Sequence, residues 1–220
     1  MLGFSARMSV LLAIAGNIGS GKTTLTRRLV ERLGYQGLFE STDDNPYLAD
    51  FYSDMPRWAL PVQLRFLVGR VAMTKEAIAA GRSAICDRTC YEDAEIFAAN
   101  LHGRGAMDAR DWETYRLVAN EVLSGLPTPD LLVYLRRSPE SCRAQIARRG
   151  REYEESIPED YLRDLHARYD AWFETYRGTK LVVTAEQHDF LGSDVDLEAL
   201  VKRIAESMPQ PLLPFAFGAT

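Results

Sequence analysis

Three groups of residues have types and spacings suited to phosphoryl chemistry. The first is Gly16-Asn17-Ile18-Gly19-Ser20-Gly21-Lys22-Thr23, a full match to G-x-x-x-x-G-K-[ST]. Its glycines let successive backbone N–H groups point inward at phosphates. Lys22 is placed to reach the β- and γ-phosphates, and the Thr23 hydroxyl to ligate Mg2+. The second group is acidic: Glu40, after Gly37-Leu38-Phe39, and Asp87, after Ser83-Ala84-Ile85-Cys86. Glu40 could take a proton from an attacking hydroxyl, or serve as a helix N-cap or solvated loop acid. Asp87 is placed to hold Mg2+ beside Thr23, directly or through water. Arg88 either pairs with Asp87 or steadies the acceptor and Glu40. The third group puts four arginines into nine residues, Arg143, Arg148, Arg149 and Arg151, with Gly150 among them. They form either a solvated basic face or a lid that brings guanidiniums onto a transferring phosphoryl group.

These groups need a scaffold, and the hydrophobic pattern supplies one. Apolar β-type runs recur at 10–15, 37–39, 83–86, 131–135 and 181–184, with helical patterns between them. That alternation predicts an α/β fold with a parallel sheet and crossover helices. Ligands in such sheets sit outside the carboxyl ends of the strands, where the glycine loop, Glu40 and Asp87 all fall. The segment after the glycine loop keeps helical spacing at Leu25, Leu29, Val30 and Leu33, and Gly34 suits its C-cap. Strand, glycine loop and helix make this match a P-loop that binds a nucleoside triphosphate.

One further helix, about Arg57 to Ala80, carries Leu60, Leu64, Leu67 and Val71 as a core stripe. Gln63, Phe66 and Arg70 share another of its faces. They could hydrogen-bond and stack a flat heterocycle, or form a partly exposed polar face. A helix from about Glu92 to Leu101 sets Asp93 and Phe97 one turn apart. Ser138-Pro139-Glu140 reads as a helix start. The stripe Tyr161, Leu165, Tyr169, Trp172 and Tyr176 reads as packing, with no chemistry assigned.

With 220 residues and no linker or repeat, one domain over 1–220 is expected, with a loose extension at 1–7 and an irregular tail at about 208–220. The net charge of −5 argues against a general nucleic-acid surface. No apolar run reaches membrane-spanning length. Cys86, Cys90 and Cys142 offer no CxxC pair and suit a reducing cytoplasm.

The combination of motifs resembles the deoxyribonucleoside kinases. Beside the P-loop these are Glu40 in FESTDDNPYL, Asp50-Phe51-Tyr52 with Arg57-Trp58 and Gln63, Asp87-Arg88-Thr89 with Tyr91-Glu92-Asp93, and Arg149-Gly150-Arg151-Glu152-Tyr153-Glu154. Asn45-Pro46-Tyr47-Leu48 looks like the bacterial branch. The resemblance implies a P-loop NTPase-type fold with five parallel strands in the order 2-3-1-4-5, an Arg-rich lid, and homodimers built by helix packing. It implies transfer of the ATP γ-phosphoryl group, with Mg2+, to the 5′-hydroxyl of a salvaged deoxynucleoside. Glu40 is then the general base, with Lys22 and Arg88 catalytic beside it. Gly16 to Thr24, Arg149 and Arg151 bind phosphates: Gly16, Asn17, Ile18, Gly19, Ser20, Gly21, Lys22, Thr23 and Thr24 line the loop. Asp189-Phe190 resembles the segment that cradles the donor adenine. Tyr52 and Glu154 hold the sugar 3′-hydroxyl. Gln63 reads the base, Arg70 and Asp93 shape its far edge, and Phe66 and Phe97 line its plane. Two departures stand out. Gln145 stands where a further lid arginine is usual, which leaves either Arg143 or Arg148 as its substitute or a lid with fewer contacts, and Ala59-Leu60-Pro61-Val62 replaces a bulkier pattern.

Gln offers one acceptor and two donors, which suits adenine or cytosine edges. Guanine's paired N–H donors suit a carboxylate better. The expected substrate is deoxyadenosine, with deoxycytidine or deoxyguanosine as alternatives. A nucleoside monophosphate kinase is the rival enzyme, but its anionic acceptor would be repelled by Glu40 and Glu154. A regulatory triphosphate switch is the non-enzyme rival, and the chain has no NKxD tetrapeptide for it.

Overall fold

The strand β1 (Leu11–Ala15) alternates its side chains between two apolar layers, and that alternation sets the architecture. Leu11, Ala13 and Ala15 face one core, while Leu12 and Ile14 face the other. With both faces covered, the strand reads as a continuous apolar run, as central parallel strands do. The computed structural model describes residues 9–40, 45–190 and 192–208. In chain order β1 is followed by α1 (Lys22–Leu33), β2 (Gln36–Leu38), α2 (Leu48–Ser53), α3 (Met55–Ala79) and β3 (Ala84–Asp87). Next come α4 (Cys90–Glu92), a π-helical segment Asp93–Ala98, α5 (Ala99–Gly103), α6 (Ala109–Leu123) and β4 (Leu131–Arg136). The chain continues through α7 (Pro139–Arg149), α8 (Glu152–Glu155), α9 (Glu159–Thr175), β5 (Lys180–Thr184), a 3-10 turn Ala185–Gln187 and α10 (Asp194–Ser207).

The strands lie in the order β2-β3-β1-β4-β5, every pairing parallel. One layer packs Leu25, Leu29 and Leu33 of α1 with Leu197, Leu200 and Ile204 of α10. The other packs α3, α6 and α9 through Leu67, Tyr115, Leu165 and Tyr169. Tyr161, Leu165 and Tyr169 are fully buried, as the aromatic stripe predicts.

Local signals terminate the elements. Gly34 caps α1 at φ 65, donating its N–H to the Val30 carbonyl. Ser138 caps α7 through its side chain, with Pro139 in the first turn. Gly150 ends α7 in the left-handed region, at φ 64.

Three expectations need correction. The buried face of α3 is Ala59, Val62, Gln63, Leu67, Arg70, Val71, Thr74 and Ala77, and Leu60 and Leu64 are only half-buried. That helix begins at Met55, where Asp54 accepts from the Arg57 N–H, so Pro61 lies inside it. The helix after Asp87 begins earlier than Glu92 and widens into a π-helical segment over Asp93–Ala98. The expected extension at 1–7, the loop at 41–44 and the tail from 209 lie outside the described residues.

Candidate active site

Two glycines of the P-loop have no substitute. Gly16 stands at φ 153, and a Cβ there would meet the Leu135 carbonyl at 2.7 Å. At Gly19, φ 77, it would meet the Cys142 carbonyl at 2.5 Å. Asn17 is buried, donating to the Leu162 carbonyl of α9 at 2.9 Å and accepting from the Ile18 N–H at 2.8 Å. Ser20 is buried, and Gly21 and Thr24 are exposed at the start of α1. Lys22 donates to the Asn17 carbonyl at 2.7 Å. Burial, with Arg88 nearby, lowers its pKa to about 7.

The Thr23 hydroxyl donates to Asp87 at 2.5 Å. This pairs two hard oxygens across the ends of β1 and β3. A hydroxyl and one carboxylate suit Mg2+, which keeps waters and takes few protein ligands. Among the described residues no group of three or more His, Cys, Asp or Glu suits a metal.

Glu40, two residues beyond β2, has a side chain only 16% exposed. Its carboxylate pairs with Arg70, which also grips Asp93 through Nε at 2.8 Å and Nη2 at 3.2 Å. Arg70 further donates to the Asp87 carbonyl at 3.3 Å. Burial pushes the Glu40 carboxyl up to about 7, Asp93 adding to the rise and Arg70 and Arg88 opposing it. Gln63 is 2% exposed, and its Oε1 has no hydrogen-bond partner among the described residues. Gln63 and Arg70 thus face inward, which rules out the exposed polar face. Phe66 beside them is half-buried.

Arg88 is not the ion-pair partner of Asp87. It lies 3.7 Å from Glu92, donates to the Gly16 carbonyl at 3.2 Å, and sits 4.1 Å above the Phe97 ring. At the lid, Arg149 forks onto Glu154 at 2.5–2.9 Å, and Arg151 lies 3.5 Å from the same carboxylate. Tyr52 stacks on Tyr153, centroids 6.1 Å apart. Burial raises the Tyr52 pKa, with Tyr161 and Glu154 adding to the rise. The lid arginines therefore lie on the glutamate of the expected sugar pocket rather than on the P-loop. Arg143, one candidate for the arginine absent at Gln145, donates to the Ile157 and Glu155 carbonyls. Beyond β5, Phe190 is buried and stacks on His188, and Asp189 closes the loop by accepting from the Gly192 and Ser193 N–H groups.

Sequence reasoning gave no role to three residues that shape this site. Glu92 is fully buried between Thr89, Arg88 and Tyr169. The T-x-x-E spacing of a capping box could have marked it. Tyr169 was indistinguishable from its stripe. Arg137 ties the Ser20 carbonyl at 3.1 Å to that of Ala185 at 3.4 Å, and no pattern singles it out.

A parallel sheet of order 2-3-1-4-5, with the P-loop after β1 and acids after β2 and β3, is the P-loop NTPase fold. Within it, the deoxynucleoside kinase family model matches residues 12–209. The chain is 34% identical over 198 residues to a deoxyadenosine/deoxycytidine kinase of Bacillus subtilis, covering 89% of this chain and 91% of that one. A deoxyguanosine kinase of Lactobacillus acidophilus is also 34% identical, over 210 residues and 91% of each chain. A deoxyadenosine kinase from M. mycoides, solved with dCMP and a flexible dCDP, superposes with a TM-score of 0.81 at 29% identity, covering 90% of this chain and all of that one. The chain belongs to the deoxynucleoside kinase family and is a kinase. Among the described residues no helix is long and apolar enough to cross a membrane.

Proposed function

We propose that the chain transfers the γ-phosphoryl group of ATP to the 5′-hydroxyl of deoxyadenosine, with deoxycytidine as a second substrate, in nucleotide salvage in the cytoplasm. The observation that carries the choice of base is the buried amide of Gln63, whose Oε1 has no hydrogen-bond partner among the described residues. A buried acceptor without a partner costs about 1–3 kcal/mol, which any base amine would relieve; the amide's N–H then suits the ring acceptor beside the amine of adenine or cytosine, where guanine presents a second N–H instead. Identity to relatives does not choose, since the adenosine-type and guanosine-type kinases above match equally well.

In this reading Glu40 accepts the 5′-hydroxyl proton, and a carboxyl near 7 suits a base working at neutral pH. Lys22, Arg88 and the P-loop N–H groups stabilise charge spreading over the transferring phosphoryl. Thr23 and Asp87 would hold Mg2+, which when bound neutralises charge on the phosphate oxygens. Tyr52 and Glu154 hold the 3′-hydroxyl, Arg149 and Arg151 reach the phosphates as the lid closes, and Asp189-Phe190 borders the donor adenine. Phe97 and Phe66 line the base, whose far edge meets the Arg70–Asp93 pair. A homodimer would cover exposed apolar side chains such as Val68 of α3 and Leu117 of α6, 49% and 63% exposed. Its test is sedimentation of the purified chain.

Purified protein with Mg-ATP and the four deoxynucleosides, plus adenosine, would rank kcat/KM directly. Deoxyadenosine first, then deoxycytidine, supports the reading. Deoxyguanosine first refutes it.

A further inference from the structure

Arg88 is the only described non-glycine residue with positive φ, at 76. A side chain in that region is strained and persists only where its surroundings over-determine it. The backbone is pinned by its own N–H, which donates to the Ile14 carbonyl at 3.0 Å. The guanidinium is held by the Gly16 carbonyl, the face of Phe97 and the carboxylate of Glu92.

Glu92 is 0% exposed, and both of its oxygens are engaged. Oε2 accepts from the Thr89 N–H at 2.7 Å and from its hydroxyl at 3.1 Å, closing the turn that directly follows Arg88. Oε1 faces Arg88 Nε at 3.7 Å, beyond hydrogen-bond range, and accepts from the Tyr169 hydroxyl at 2.9 Å. The tyrosine comes from α9, 77 residues along the chain. Its hydroxyl anchors the carboxylate at the oxygen that faces Arg88 Nε. The guanidinium is thus charge-balanced without being bound away from the P-loop. The same helix accepts from Asn17 of the P-loop through Leu162. One rigid element therefore references both the loop and the arginine.

We infer that Glu92 and Tyr169 are positioning residues for phosphoryl transfer, acting through Arg88: the carboxylate aims the guanidinium and the tyrosine hydroxyl fixes the carboxylate. The inference rests on the kinase reading above and adds two residues to it.

A double-mutant cycle on the full chain tests it. Tyr169→Phe keeps the ring that stacks on Tyr134 and meets Phe97 edge-on, so packing is preserved. It should lower single-turnover phosphorylation of deoxyadenosine about fivefold or more, with nucleoside KM changed less than about twofold. In an Arg88→Ala background the same substitution should change the rate by less than about twofold, since the group it acts through is gone. If that background does not fold, Arg88→Lys replaces it, because an ammonium offers no Nε for the carboxylate to aim. Glu92→Gln should show the same dependence on Arg88. Equal losses in both backgrounds, or no loss from Tyr169→Phe alone, would overturn the inference and leave the kinase reading intact. A wild-type protein that phosphorylates no nucleoside would instead overturn both.

Discussion

Replacing Gln63 by glutamate exchanges a hydrogen-bond donor for an acceptor at nearly constant size. The side chain is 2% exposed and its Oε1 has no hydrogen-bond partner among the described residues, so none of them relieves a mismatch there. Adenine would lose the amide donor and face a carboxylate, while guanine would find a second acceptor for its paired N–H groups. Each mispaired buried group costs about 1–3 kcal/mol, or roughly 5- to 150-fold. The deoxyadenosine-to-deoxyguanosine ratio of kcat/KM should therefore move at least roughly tenfold toward guanine. The assay is initial rates for both nucleosides, with wild type and variant in parallel. Burial would also push the introduced carboxyl above the ordinary carboxylate range, so the switch should strengthen as pH rises and the group ionises. A ratio that stays within about twofold while both activities fall would show that Gln63 only packs. The base would then be chosen by the Arg70–Asp93 pair.

Three further outcomes follow from the same geometry. Glu40→Gln keeps size but cannot take the proton, so kcat should drop about 10²–10⁴-fold with nucleoside binding largely kept; near-normal kcat would remove Glu40 from the chemistry. Because the Glu40 carboxyl stands near 7 rather than in the ordinary range, kcat/KM should fall as pH drops through that value and the base becomes protonated. Arg70 opposes that rise more strongly than Asp93 adds to it, so Arg70→Gln should carry the acid limb to higher pH, and a limb that stays put would break the assignment. Arg149→Ala should lower kcat more than it raises nucleoside KM, and the reverse split would remove Arg149 from the phosphates.

Much of the fold was legible because local chemistry and tertiary structure agree. The apolar run of β1, the P-loop glycines, Gly34 and the Ser138-Pro139 start each have one local solution, and each is realised. The face of α3 was misread for an instructive reason. Hydrophobic periodicity assumes that polar groups face outward, but Gln63 and Arg70 are buried against the site. Leu60 and Leu64 were left half-exposed in consequence. The positions of Glu40 and Asp87 at the ends of β2 and β3 were legible from the apolar runs alone. Glu92 and Tyr169 could not be joined, since their contact spans 77 residues and depends on how α9 crosses the sheet. The π-helical segment Asp93–Ala98 likewise has no sequence signature, although it carries Asp93 and Phe97.

The fork between Arg149 and Glu154 would couple two ligands through a single carboxylate. On the roles proposed for them, a guanidinium drawn toward a phosphoryl oxygen frees lone pairs that a sugar hydroxyl can use. A hydroxyl that takes those lone pairs equally releases the guanidinium. Nucleoside and triphosphate should then each tighten the binding of the other, and by the same factor, because such coupling is reciprocal. Glu154→Gln, which weakens the fork, should bring that heterotropic synergy close to zero in calorimetric titrations with a nonhydrolysable triphosphate. The short junction between α7 and α8 would thereby make this kinase close on a matched pair of substrates in preference to either one alone.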